Sequence, residues 1–180
     1  MTLTAPVTHA VVDSPLGPVT LVGREGALVG VHLHEQQHLP PASGLGERDD
    51  ATLPHLQEQL AAYLAGELQV FDVELAPRGT PFQNEVWAAL RRVPYGSTTT
   101  YGRLAAEIGR PTAVRAVGAA NGRNPYCLVV PCHRVVGADG GLTGYAGGLA
   151  RKRFLLELEH RQAEPGLFPL QGRAALSPPA

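Results

Sequence analysis

Hydrophobic positions in the first third of the chain fall in short runs, without helical spacing. Val11-Val12, Val19-Thr20-Leu21-Val22 and Ala27–Leu33 are such runs, and short aliphatic, β-branched stretches bounded by turn residues suit strands. Ser14-Pro15-Leu16-Gly17 and Gly23-Arg24-Glu25-Gly26 supply the turns, the second joining a hairpin. Residues 38–53 are rich in Pro, Gly and charge and read as a surface loop. Leu56, Leu60 and Leu64 then recur at every fourth position, the spacing of one helix face, and Gly66 is placed to stop that helix. Residues 68–80 read as an extended stretch and a linker ending in Arg78-Gly79-Thr80.

At Thr80 the pattern changes. Thr80 suits a helix cap, Pro81 the first turn, and Gln83 completes a capping-box pattern. Phe82, Val86, Trp87 and Leu90 form one apolar stripe, and Pro94-Tyr95-Gly96 breaks the helix. Thr99 or Thr100 caps a short second helix through Ile108, with Leu104, Ala105 and Ile108 facing inward. Gly109-Arg110-Pro111 turns into a third helix, from about Thr112 to Asn121. Its outward positions are Thr112, Arg115, Ala116 and Ala119; Val114, Val117 and Gly118 are expected to face inward. Two short helices joined by a Gly-containing turn form a helix-turn-helix pattern, one that many helical domains share. The apolar run Leu128-Val129-Val130 predicts a buried strand that delivers Cys132 at its end, and a last helix spans about Leu149 to His160. The expected class is α/β (α+β). A sheet-plus-helix domain over 1–78 precedes a mainly helical domain over 79–162, and 163–180 form a flexible tail.

A hydrophobic fraction of 44% with 17% charged residues is ordinary for a soluble globular protein. No run approaches the ~20 apolar residues of a membrane span, and Met1–Pro6 lacks the basic and apolar regions of an export signal. Two cysteines, Cys127 and Cys132, are too few for a disulfide scaffold and fit a reducing compartment, so a cytoplasmic location is expected. The net charge of −1 conceals an asymmetry. Residues 1–80 hold three arginines against ten acidic residues, a balance of −7. Residues 81–180 hold eleven arginines and Lys152 against six acidic residues, a balance of +6. A basic half suits a polyanion, although a solvated arginine-rich surface has the same composition.

The chemistry-bearing segment is Pro131-Cys132-His133-Arg134-Val135. A thiolate is the reactive form of cysteine, and a neighbouring histidine draws off its proton or stabilises its charge. A bare Cys-His pair reads first as a small buried hydrophobe beside a polar residue, as most intracellular cysteines are. The context is more specific, because these five residues resemble the signature of the O6-alkylguanine-DNA alkyltransferases. Gly79-Thr80-Pro81-Phe82-Gln83 with Val86-Trp87 is similar to the start of that family's catalytic domain. Tyr101-Gly102, Arg115-Ala116-Val117-Gly118, Asn124-Pro125, Gly144-Tyr145-Ala146-Gly147-Gly148 and Leu155-Leu156 with Glu159 follow in the family's order and spacing. The resemblance covers about residues 79–160. Residues 8–78 resemble the variable N-terminal domain only loosely, through Ser14-Pro15-Leu16-Gly17 and Tyr63-Leu64-Ala65-Gly66.

The resemblance implies single-turnover DNA repair, in which Cys132 irreversibly takes the alkyl group from O6-alkylguanine, with O4-alkylthymine a further candidate substrate. It implies a Glu159–His133–water–Cys132 relay, following the logic by which a hydrolase carboxylate orients its histidine. It implies a structural role for Asn124 and a proton-donor role for Tyr101 toward guanine N3. The loop carrying Tyr145 and Ala146 would receive the flipped base. Arg115 would fill the gap left in the duplex while Ala116 and Ala119 let the third helix approach a minor groove. That groove, ~6 Å wide, is narrow for a helix ~10 Å across. Without the resemblance, Tyr101 reads as a half-buried core residue, Glu159 as an exposed helix acid and the alanines as close packing.

Duplex DNA is therefore the expected partner, with no membrane, no cofactor and a monomeric chain. His32, His34 and His38 cluster along one stretch, but the thiolate-containing zinc site of some relatives is missing because no cysteine precedes Cys127, and no metal is expected. Cys127 itself reads as a buried bystander. Two other classes compete: a damage-binding module without chemistry, disfavoured by Cys132 in its motif, and a Cys–His hydrolase, disfavoured by the lack of a separate oxyanion-loop motif.

Overall fold

The computed structural model describes residues 5–163. The expected tail, Ala163 apart, lies outside the described residues. A four-stranded sheet comes first, built from β1 (Thr8–Val12), β2 (Val19–Arg24), β3 (Ala27–Leu33) and β4 (Glu47–Arg48) in the order β3-β2-β1-β4. The three apolar strands pair antiparallel, and β4 lies parallel to β1. The hairpin is tighter than the four-residue turn expected. β2 runs through Arg24, and Glu25 and Gly26 alone make the turn, at φ 52° and 82°. Two consecutive positive φ values match the right-handed twist of the flanking strands. β4 falls inside the stretch expected to be loop. Both of its residues are exposed, so it carries no apolar signature.

Helix α1 (Pro54–Ala65) packs Leu56, Leu60 and Tyr63 inward; Leu64, the expected third face residue, is only half-buried. In the remainder, α2 (Pro81–Leu90) starts at the expected capping box: Thr80 accepts from Gln83 N, and the Gln83 side chain accepts from Thr80 N. β5 (Thr99–Thr100) leads into α3 (Tyr101–Glu107), which Thr100 caps, and α4 (Val114–Gly122) follows a turn closed by Ala113 N donating to Arg110 O. Trp87 Nε1 donates to Ala120 O at 3.0 Å and so ties α2 to α4. β6 (Val135–Val136) pairs parallel with β5, and α5 (Leu149–Gln162) closes the described chain.

Two expectations are corrected here. Val114 does not face inward: it is 38% exposed beside Arg115 and Ala116, because the helix begins at Val114 and its buried face is Val117, Ala120 and Asn121. Leu128-Val129-Val130 is no strand. Leu128 takes φ 71°, and tight turns follow one another as Val129 N donates to Cys127 O, Val130 N to Tyr126 O, and Cys132 N to Val130 O. The apolar run records burial without extended geometry, and the short strand, β6, comes after Cys132.

The outer edge of β3 joins the two halves. Leu28 N donates to Glu74 O, Ala76 N donates to Leu28 O, and Val31 N donates to Pro125 O. The strand edge thereby fixes Pro125-Tyr126, where the turns leading to Cys132 begin. Buried residues of the sheet, of α1 and of the helical part form one continuous core, in which Leu21, Leu33, Tyr63, Trp87, Leu104 and Leu155 take part.

Gly26 and Gly79 separate backbone strain from packing. Both have φ near +80°, but a Cβ on Gly26 would meet nothing, whereas one on Gly79 would lie 2.6 Å from the Trp87 ring. Gly26→Ala is expected to cost about 1–2 kcal/mol, and Gly79→Ala about 1–3 kcal/mol more because a buried ring must also move. Urea denaturation of the two variants checks this, and equal losses would refute the packing constraint at Gly79.

Candidate active site

Cys132 opens a single 3-10 turn, Cys132–Arg134, between Pro131 and β6, and all three side chains of that turn are buried. Asn124 clamps the preceding loop: its Nδ2 donates to Val130 O at 2.7 Å, and its Oδ1 accepts from Tyr126 N at 3.0 Å. Asn121 Nδ2 donates to Cys132 O from α4. Together these bonds hold a non-repetitive loop, whose backbone groups need partners once buried. Hydrogen bonding from the Cys127 thiol, the Asn124 side chain and the positive charge of Lys152 hold the Cys132 thiol below its ordinary range, against the opposing effect of burial. The Cys127 thiol goes the other way, pushed well up by its hydrogen bond with Cys132 and by burial. Of the two thiols, Cys132 is the one disposed to ionise.

His133 and Glu159 have no solvent exposure and lie 2.8 Å apart, Nε2 to Oε1. Burial works to raise the Glu159 pKa, but hydrogen bonds from His133 and Arg134 outweigh it and hold the carboxyl well below the usual range. An ionised carboxylate only accepts, so the proton on this bond is carried by His133 Nε2, and Nδ1 is left with the lone pair. Nδ1 is buried and has no hydrogen-bond partner in the protein. Burial holds the imidazole below its usual pKa despite the pull of Glu159, so the ring rests neutral.

Glu159 serves more partners than His133. Tyr63 Oη of α1 donates to Oε1 at 2.7 Å, Gly96 N donates to Oε2 at 3.1 Å, and Arg134 reaches both oxygens through Nε and Nη2. Arg134 also donates to Val93 O and stacks over Tyr95. Sequence reasoning gave Tyr63 and Arg134 no role. Tyr63 lies in the loosely matching Tyr63-Leu64-Ala65-Gly66 segment, and Arg134 is, with Pro131 and Val135, one of three residues of the five-residue signature without an assigned role.

The loop after β6 is held by a buried cation. Lys152, the only lysine in the sequence, has no exposed surface, and its Nζ donates to the carbonyls of Val135, Thr143 and Gly144. Burial lowers its pKa to about 8, with the nearby Cys132 charge opposing the shift. Tyr101 Oη of α3 donates to the Thr143 and Gly144 carbonyls, and Ala146 O accepts from Gln37 N. Tyr145 is buried, its ring edge-on to His133 and its hydroxyl 2.9 Å from Cys127 Sγ. The fold thus gathers Cys132, His133, Glu159, Asn124 and Tyr145 in one buried cluster, bordered by half-buried Tyr101. It sets Arg115, Ala116 and Ala119 together on the exposed face of α4. Cys127 is buried as expected, and its sulfur is engaged with the Tyr145 hydroxyl. Of the three clustered histidines, His32 is buried against Gln36, while His34 and His38 are exposed.

Residues 81–161 match the family described as 6-O-methylguanine DNA methyltransferase, DNA binding domain, and residues 7–77 match its ribonuclease-like domain. The chain belongs to the methylated-DNA–protein-cysteine methyltransferase family. The family member of Mycobacterium tuberculosis H37Rv is 50% identical over 161 residues, 89% of this chain and 97% of the relative. The family member of Methanosarcina acetivorans is 50% identical over 151 residues, 84% and 97% of the two chains. Among solved structures, Mycobacterium tuberculosis OGT in complex with DNA superposes with a TM-score of 0.83 at 50% identity, covering 87% of this chain and 94% of that one. No helix among the described residues is long and apolar enough to cross a membrane.

The buried titratable groups set the acid response of this family member. His133 and His32 have folded-state pKa values below their unfolded value, His32 at about 4 through burial and the Arg78 charge. Their contribution is complete above the unfolded histidine value of ~6.5 and is lost as pH falls toward the folded values. Glu159, also depressed, adds its loss below ~4.3. Stability should therefore decline from pH ~6.5 downward, and His32→Gln should flatten the part of that decline above pH 4. Urea midpoints across pH 7 to 4 measure it; an unchanged slope in His32→Gln would contradict the assignment.

Proposed function

We propose that the chain repairs alkylated DNA by moving the alkyl group of O6-alkylguanine onto Cys132 in a single irreversible turnover. The observation that carries the reading is a buried thiol disposed to ionise beside a neutral histidine whose free Nδ1 accepts a proton. Cys132 Sγ attacks the alkyl carbon, the carbon–O6 bond breaks, and its electrons stay with the departing guanine. The thiol proton passes through water to His133 Nδ1, and Glu159 stabilises the resulting imidazolium across the Nε2 bond. Arg134 shares that carboxylate, which favours a neutral resting ring over a preformed thiolate–imidazolium pair. Tyr101, at the mouth of the cluster, supplies a proton toward guanine N3, and the Tyr145-Ala146 loop borders the extruded base.

Duplex DNA is the partner on this reading, approached from the minor groove by the small, exposed face of α4. Arg115 occupies the space left by the flipped base, and the basic second half supplies phosphate contacts. We take 1–78 as an N-terminal domain and 79–162 as the DNA-binding and transferase domain of a cytoplasmic monomer that needs no cofactor.

Intact mass after incubation with DNA containing O6-methylguanine should show one added methyl per chain, located on Cys132. Cys132→Ala should abolish transfer while keeping DNA binding. Several turnovers per chain, or a methyl on Cys127, would contradict the reading. Arg115→Ala should slow repair in duplex DNA by about tenfold, equivalent to ~1.4 kcal/mol of lost flipping assistance. The same variant should leave transfer from free O6-benzylguanine nearly unchanged; equal losses on the two substrates would remove Arg115 from flipping.

A further inference from the structure

We propose that the cleft between the end of β3 and the C-terminus of α4 binds a phosphate group, held by Arg78, Arg123 and the His32 imidazole. The cleft has a volume of about 340 Å³, at the lower end of small-ligand sites, roughly 300–1,000 Å³. Its walls come from the end of β3 and the turn after it, the linker at Arg78-Gly79, the first turn of α2, and Arg123-Asn124 beyond α4. No carboxylate lines it. Arginine ion pairs among the described residues engage Arg48, Arg92, Arg110 and Arg134, and neither arginine of the cleft.

His32 is only 6% exposed, and its neighbours fix its tautomer. Gln36 Oε1 accepts from Leu33 N at 2.8 Å, and Gln36 Nε2, which can only donate, lies 3.4 Å from His32 Nδ1. Nδ1 is therefore the acceptor, and a neutral ring carries its proton on Nε2. Burial and the Arg78 charge keep the ring neutral, at a pKa of about 4. The Nε2–H is an unspent donor on a residue that lines the cleft. A Cβ at Gly30 would lie 2.7 Å from Nε2, so this glycine, on the same strand face, makes room for the ring. Arg78 is anchored by Nη1 donating to Val29 O at 3.1 Å, which leaves Nε and Nη2 for a ligand. Gln83 spends its Oε1 on Thr80 N at 2.9 Å, which leaves its amide N–H groups.

The donor set selects the ligand. Two guanidinium groups supply planar forks that match phosphate oxygens, the imidazole and the Gln83 amide supply single donors, and α2 presents the positive end of its dipole. Donors converging from separate elements suit an oxyanion whose oxygens point tetrahedrally, whereas a planar carboxylate is satisfied by one fork. The clustered His32 and His38 thereby fall on an anion site, where two arginines repel a metal cation. The phosphate belongs to a DNA strand or to free phosphate. Arg123 follows Arg115 by eight residues, about 12 Å along α4, so a strand passing the exposed face of that helix brings further phosphates toward the cleft. Only the duplex as a source rests on the repair reading.

Nitrogen-resolved NMR of the full chain follows the His32 imidazole and the arginine side chains. Inorganic phosphate and a short undamaged duplex are titrated separately, with sodium chloride at matched ionic strength as the blank. Saturable shifts at His32, Arg78 and Arg123 that sodium chloride does not reproduce are expected with at least one probe. Arg123→Gln should weaken that binding about fivefold, or ~1 kcal/mol. Arg153→Gln, which removes an exposed arginine outside the cleft, should leave it nearly unchanged. Shifts with inorganic phosphate alone identify free phosphate as the ligand. Shifts with the duplex, together with a salt slope lowered by about one in Arg123→Gln, identify a strand phosphate. No saturable shift with either probe, or equal losses in Arg123→Gln and Arg153→Gln, overturns the site. Methyl transfer to Cys132 is measured on the same samples, and its absence would overturn the repair reading while the phosphate titration stands by itself.

Discussion

A carboxylate with no exposed surface must find all its compensation inside the protein, and Glu159 finds it in four residues from three segments. Tyr63 reaches it from α1, Gly96 from the turn before β5, and His133 and Arg134 from the turn that carries Cys132. These segments are remote in sequence, so the charge can be buried only when they are assembled together. Removing one partner of such a buried pair costs about 3–5 kcal/mol, because the remaining charge is stranded. The same bonds fix the imidazole tautomer, so one interaction holds the fold closed and sets which nitrogen is free for chemistry. Its strength has a limit built in: burial, together with the Arg134 charge that shares the carboxylate, outweighs the pull of Glu159 and leaves His133 uncharged at rest.

The reactive turn is positioned from the other side by backbone. The exposed edge of β3 takes up Glu74 and Pro125 as hydrogen-bond partners, and Asn124 then clasps the loop between Tyr126 and Val130. An edge that would otherwise invite pairing with another chain is thereby used to aim a loop. The N-terminal sheet is part of the active-site support, although none of its strands carries a residue assigned to the chemistry.

Much of this was legible in the sequence where a local rule and the tertiary environment agree. The hairpin strands, the Thr80 capping box and the Trp87 stripe follow from periodicity and end chemistry alone. The cluster of Cys132, His133, Glu159 and Asn124 was named through the resemblance, since nothing local brings residues 124 and 159 together. Failures occurred where burial imitates another signal. Leu128-Val129-Val130 is apolar because it is enclosed, and only the positive φ of Leu128 reveals that it turns. Val114 sits at the first turn of α4, where the start of the helix decides which way it faces. β4 has exposed charged residues and leaves no pattern. Tyr63 and Arg134 read as ordinary members of a helix face and a motif until Glu159 is seen between them.

Lys152 was hidden for a similar reason, flanked by Arg151 and Arg153 in what reads as a charged helix surface. Its ammonium group is instead spent on three carbonyls in the interior. Since no other lysine exists in the sequence, the folded chain offers no side-chain amine to solvent. Amine-reactive labels and cross-linkers find no lysine to modify, and any tagging system that builds an isopeptide bond to a lysine finds no acceptor until the protein opens.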